Sequence, residues 1–183
     1  DDDACRTASH QEIIRRYYQA IVGVAEGNRE PDEVNKIELL MSQENLTTND
    51  RPVVAPALER EQLTGAPAVA IELSDGTIIT GKTSSLLGAS SSLLLNALKV
   101  LADIPDEIDL ISPTIIEPIQ KLKTEIMGNH NPRLHMDEIL IALSICAATS
   151  DTARMALDHA YKLEGLEAHS SVILSRVDEN VFR

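Results

Sequence analysis

The densest gathering of chemically capable side chains is Asn129, His130, Asn131, Arg133, His135, Asp137 and Glu138, where imidazoles, carboxylates and a guanidinium fall close together. Such a set can form a substrate-binding loop. A metal would use His130, His135 and Asp137, but their spacing follows no standard zinc pattern, so no metal is expected. His135 and Asp137 also suit the start of the helix that follows, where Asp offsets unpaired amides and the helix dipole. A second stretch, Lys82-Thr83-Ser84-Ser85, puts an amine beside hydroxyls, a pairing that can support acyl transfer by an activated serine. Neither a base nor an oxyanion hole is visible around it. Lys82, Thr83, Ser84, Asn131, Arg133 and His135 therefore form the candidate ligand-binding set. His10 and His169 stand alone and read as hydrogen-bonded structural residues.

Gly76-Thr77-Ile78-Ile79-Thr80-Gly81-Lys82-Thr83 satisfies the Walker A pattern letter for letter. A phosphate-binding loop must follow a buried strand, keep its amides free for anions and open a helix. Here Gly76 falls in a turn and residues 77–80 alternate like a paired strand, so the amides are spent on a sheet. No nucleotide or other cofactor is expected.

These residues need a scaffold. Ser9 with Glu12 three residues on predicts a capping box opening a helix, with Ile13, Ile14, Tyr17, Tyr18, Ile21 and Val22 at helical spacing. Gly27-Asn28 ends it, and Pro31 opens a second helix striped by Val34, Ile37, Leu40 and Met41. The two read as a helical hairpin. Residues 51–56 read as extended, and a short helix from Ala57 to Leu63 stops at Gly65. Val69, Ile71 and Leu73 then alternate up to Ser74-Asp75-Gly76, and Ile78 and Thr80 resume the alternation, which predicts a β-hairpin. Gly88 and a serine run precede a helix with Leu94, Leu95, Leu98 and Leu101 on its apolar side. Ile108 to Ile111 reads as a short buried strand, and Ser112-Pro113 as a helix start running toward Met127. Residues 137–149 are apolar nearly all round and predict a central buried helix. A further helix is expected from Asp151 or Thr152 to Leu163, broken by Gly165, and Ala168 to Leu174 is the last strand expected. The order predicts a layered α/β sandwich over residues 66–183 and a helical subdomain over residues 1–65.

Composition narrows the function classes. With 43% hydrophobic and 25% charged residues, the chain is neither disordered nor a membrane protein. A formal charge of −13 repels phosphate backbones and anionic lipid, so neither a nucleic-acid nor a membrane partner is expected. There is no Trp and only one Phe, so stacking platforms for single strands are missing as well. Cys5 and Cys146 lie far apart and form neither a disulfide framework nor a metal quartet, which points to a reducing, cytoplasmic setting.

Four stretches carry a family resemblance: residues 6–18, residues 81–90, Asn131-Pro132-Arg133-Leu134-His135, and Ala168-His169-Ser170-Ser171-Val172-Ile173-Leu174-Ser175. Together they resemble the C-terminal part of a bacterial family of uncharacterised proteins, domain of unknown function eighteen-forty-six. Members of that family are longer, so the resemblance implies a preceding N-terminal portion, in keeping with a first residue of Asp1 rather than Met. The predicted strand-strand-helix-strand-helix order also resembles the cytidine deaminase core. The ligand positions of that fold read Gly88-Ala89-Ser90-Ser91 and Pro113-Thr114-Ile115-Ile116 here, so the resemblance implies a zinc-less version without deamination.

Two functional expectations follow. The first is an assembly domain that buries the aliphatic helices, including Ile139 to Ala148 and the Ile13 to Val22 stripe, against a second copy or a preceding N-terminal part. The second is a ligand-binding or catalytic module of hydrolase or transferase type. Its site would comprise Lys82, Thr83, Ser84, Asn131, Arg133 and His135, completed by that N-terminal part or another subunit.

Overall fold

The computed structural model describes residues 2–182, and the chain gathers into two units, one ending at Ala55 and the other beginning at Pro56. In the first, α1 (Asp2–Ala25) and α2 (Pro31–Gln43) pack side by side. The expected capping box at Ser9 is absent because α1 begins seven residues earlier. Asp2 and Asp3 occupy its first turn, where negative charge offsets the exposed amides. Glu12 instead binds Arg15 and, at 2.7 Å, Arg16. Those two guanidinium groups hold its carboxyl below the ordinary glutamate value. Gly27, at φ +74°, lets the chain reverse while the amides of Asn28 and Arg29 close on the Gly23 carbonyl. Pro31 is the first residue of α2, as expected.

Helix α3 (Val54–Thr64) starts three residues earlier than its apolar pattern suggested. Residues 54–56 are thus helical rather than extended, since Pro56 falls in the first turn, where an amide has no helical partner to lose. Gly65, at φ +66°, stops the helix. The hairpin that follows forms as read: β1 (Ala68–Glu72) and β2 (Ile78–Lys82) pair antiparallel with Val69 opposite Gly81 and Ile71 opposite Ile79. Gly76 occupies the turn at φ +84°, and the Asp75 carboxylate accepts from the Thr77 amide at 2.9 Å. The Walker-like string is therefore a turn and a paired strand.

One face of the hairpin carries Val69, Ile71 and Leu73, which pack with Ala89, Leu93 and Ala97 of α4 (Ala89–Leu101). Gly81 permits this approach. A side chain at that position would lie 2.1 Å from the Leu93 nitrogen. Gly88 is the residue that caps α4, and Ser90 and Ser91 are buried inside its first turn. The opposite side of α4 supplies Leu94, Leu95 and Leu98 to a second core shared with α5 (Pro113–Lys121), α6 (Met136–Cys146) and α7 (Asp151–Asp158). Ser112 caps α5 by accepting from the Thr114 amide, and Pro113 is its first residue. The helix continues through Pro118 and widens into a π turn over Leu122–Ile126.

The third strand, β3 (Ala168–Ser170), pairs antiparallel with β1, giving the order β2-β1-β3. This overturns the cytidine-deaminase-like core. Residues 108–111 form no strand, because both edges of β1 are already occupied and the Ile108 amide closes a turn on Pro105. Only Leu110 and Ile111 point inward; Ile108 is exposed. The last strand also ends early. The Ser170 hydroxyl bonds the amide and carbonyl of Val172, which turns the chain and leaves Val172 and Ile173 exposed before α8 (Arg176–Phe182). The architecture is mixed α/β, dominated by helix, with a small antiparallel sheet. Helix α6 is not buried all round: Ile139, Ala142 and Leu143 face the core, while Ile141 and Ile145 are 61% and 66% exposed.

Candidate functional site

Apart from Lys82, the last residue of β2, the candidate ligand-binding residues occupy two loops, residues 83–88 before α4 and residues 128–135 before α6. The loops run side by side. Leu87 and Leu134 form a parallel bridge, the Leu134 amide donates to the Leu86 carbonyl at 3.0 Å, and the Gly88 amide donates to the Leu134 carbonyl at 3.2 Å. The buried Ser91 hydroxyl donates to that same carbonyl at 2.8 Å. Across this seam Arg133 Nε donates to the Ser84 carbonyl at 2.7 Å.

Each candidate side chain can be placed. Ser84 Oγ accepts from the amides of Leu86 and Leu87 at 3.2 and 3.0 Å, so its oxygen holds a turn. Thr83 donates its amide to Pro67, which continues the β1–β2 pairing. Asn131 Oδ1 accepts from the Arg133 amide at 3.1 Å. Lys82 is exposed, and strand alternation puts it on the sheet face opposite the one Gly81 turns toward α4. The folding of the chain thus joins Ser84 to Arg133 and leaves Lys82 apart from them.

His135 is the residue that caps α6. Its amide donates to Glu138 Oε2 at 2.8 Å in a capping box, while Asp137 Oδ1 accepts from the Glu138 amide. Its ring nitrogen Nδ1 lies 3.2 Å from Oδ2 of Asp178, a buried carboxylate on α8. Asp178 also accepts from the Met136 amide at 3.1 Å and from the Ser175 hydroxyl at 3.0 Å. Serine, imidazole and carboxylate therefore meet, but in an order unsuited to nucleophilic catalysis. Ser175 and Asp178 share the same nitrogen of His135, and the hydroxyl donates to the carboxylate at 3.0 Å while the imidazole nitrogen lies 3.5 Å away.

Two members of this network escaped the sequence reading. Lys123, on the π turn, is 3% exposed and donates to the Arg133 carbonyl at 2.6 Å and to Glu138 Oε2 at 2.7 Å. Nothing local marks a lysine for burial. Asp178 carried a weak signal, since Ser175-x-x-Asp178 is itself a helix-start pattern, and the Asp178 amide donates to Ser175 Oγ. The ion pair of Lys123 and Glu138 anchors the outgoing π turn to the start of α6, while Asp178 ties α8 to that same start. Among the described residues no group of three or more His, Cys, Asp and Glu side chains is placed to hold a metal ion, and no helix is long and apolar enough to cross a membrane. Cys5 is exposed, Cys146 is buried, and both are free thiols.

A small three-stranded sheet backed by helices, with polar loops bonded inward at two helix starts, defines a mixed α/β protein. Residues 49–183 match the family described as "Domain of unknown function DUF1846, C-terminal", and residues 1–45 match "Domain of unknown function DUF1846, N-terminal". The chain belongs to this DUF1846 family. Similar relatives are the UPF0371 proteins of Corynebacterium efficiens, 55% identical, Corynebacterium glutamicum, 52%, and Streptococcus pyogenes, 47%. In each comparison the whole of this chain is aligned, and it spans 37% of the relative's length. The expectation that the chain is only the family's C-terminal part is corrected by these matches, because residues 1–45 match the N-terminal family domain.

Proposed function

We propose that residues 56–183 form an assembly domain of a DUF1846-family protein, in which the outer face of α6 seats a second copy of the same face. The carrying observation is the exposure of Ile141 and Ile145, one turn apart, on a helix whose other side fills the core. From Leu140 to Ala148 the helix and its end carry no charged residue. In a chain of net charge −13, a charge-free stretch of this length is where a like copy approaches with least repulsion. Glu138, the nearest carboxylate along the helix, is already paired with Lys123. The candidate polar groups support the same reading, because Ser84, Asn131 and His135 already have hydrogen-bond partners within the chain.

Sedimentation or native mass spectrometry tests it, with Ile141→Glu and Ile145→Glu introduced together. The expected result is a concentration-dependent oligomer that becomes monomeric in the variant, with helical content unchanged. A chain that stays monomeric at high concentration overturns the reading.

A ligand-binding role at Ser84, Arg133 and His135 is the second reading, favoured by the hydrogen bond that joins Arg133 to the Ser84 loop. It requires a small molecule retained on the native subunit. Lys82 and Thr83 would then act from outside the network. A cytoplasmic location suits either role.

A further inference from the structure

Between α1 and α2 lies an apolar groove of about 290 Å³, floored by Ile13, Ile37 and Leu40 and edged by Ser9, Glu12 and Arg16. Leu40 is 40% exposed and Leu39 beside it 62%. The buried residues of the two helices are few: Ile14, Ala20, Gly23 and Met41. Two helices alone form a single layer, and an apolar face on such a layer is stable only when another layer covers it.

A separate observation bears on what could cover it. Residues 1–45, which hold both helices, match the family's N-terminal domain, whereas residues 49–183 match the C-terminal one. The relatives extend well beyond the matched segment, which is 37% of their length. We infer that the α1–α2 groove is a docking surface internal to the family's N-terminal domain, filled in the longer proteins by apolar side chains from the remainder of that domain. The two helices then act as the closing pair of a core built mainly by that remainder. At the rim the Glu12 carboxylate is already ion-paired with Arg15 and Arg16, so it does not stand as an unpaired negative charge beside an apolar segment. This inference does not depend on the α6 interface, which lies on the other unit.

Thiol accessibility tests it. Leu40→Cys is placed in this chain with Cys5→Ser, Cys146 being buried, and at the matching position of the Corynebacterium efficiens relative with its other cysteines replaced. Maleimide labelling of the introduced thiol under native conditions is expected to be at least about tenfold slower in the longer protein, since a covered side chain reacts only through local opening. The rates should converge after denaturation. Equal native rates overturn the inference, and so does protection that appears in this chain alone as its concentration rises, which would assign the groove to a second copy. Ile37→Cys, one turn earlier on α2 and lining the same groove, gives the same readout should Leu40→Cys fold poorly.

Discussion

Replacing Gly81 with alanine would drive a methyl group into helix α4. The added carbon lies 2.1 Å from the Leu93 nitrogen, 2.5 Å from its Cα and 2.7 Å from the Ala89 carbonyl oxygen, where ordinary contact begins near 3.4 Å. All three are backbone atoms, so swinging a side chain aside cannot relieve these contacts. Helix or strand must retreat by about 1 Å, which opens the seam between Leu93 and Ala97 on one side and Val69 and Ile71 on the other. Overpacking of this kind costs about 1–3 kcal/mol, and the upper end applies because backbone must move. For a unit of this size that is a fall in Tm of roughly 10 °C. Gly81 does not have the positive φ that would add backbone strain, so the effect is purely steric.

Gly23 is the internal control. The three atoms nearest a carbon there, at 2.6 to 3.1 Å, all belong to the Arg29 side chain, and that chain can move. Gly23→Ala should therefore be neutral or gain up to about 1 kcal/mol from reduced chain entropy. Thermal unfolding followed by circular dichroism reads both variants. If Gly81→Ala melts within about 2 °C of the parent, the close approach of α4 to β2 is not what holds this sheet, and the steric argument is wrong.

Lys123→Met removes the ammonium that holds Glu138 and the Arg133 carbonyl. With Glu138 27% exposed, water relieves part of the loss, and about 2 kcal/mol is expected in urea denaturation. Adding Glu138→Gln should cost less than it does alone, a coupling of about 1 kcal/mol; strict additivity would sink the claim that the two act as a pair. A pH effect is expected at the hairpin turn. The bond from the Thr77 amide holds the Asp75 carboxyl below the ordinary aspartate value. A lowered folded value means the stabilisation is present above the unfolded value and is lost as pH falls through the folded one. The Asp75 carboxyl carbon, followed by NMR, should thus titrate below a free aspartate, and Asp75→Asn should remove this contribution to acid sensitivity. A midpoint at or above that of free aspartate would contradict the turn geometry.

What could be read from the sequence divides by the range of the cause. Asp75-Gly76, Ser112-Pro113 and Gly165 act on their own dihedrals or on an amide two residues away, so the hairpin turn, the start of α5 and the break after Leu163 were legible. The third strand was not. Residues 108–111 and 168–170 have comparable local claims, and the choice is made by which reaches the free edge of β1. The polar loops follow the same division. Arg133, His135 and Ser84 were visible as residue types, but Arg133 meets Ser84 across 49 positions and His135 meets Asp178 across 43. No spacing rule spans such distances.

Burial shows the limit most sharply, and it is also what gives the exposed isoleucines their meaning. An apolar pattern states what a helix is able to bury, and only packing states what it does bury. Helix α6 carries apolar residues nearly all round, yet its core contacts use Met136, Ile139, Ala142, Leu143 and Cys146. Were those contacts its whole task, polar residues at 141 and 145 would give the same fold with less exposed apolar surface. Isoleucine at both positions, one turn apart, is an expense the isolated unit gains nothing from. The interface proposed for that face is the reading that would account for it, whereas at Lys123 a charge is buried because Glu138 and the Arg133 carbonyl are there to receive it. At Lys123 the residue type conflicts with its local pattern, and the conflict is settled by groups 10 and 15 positions away in sequence.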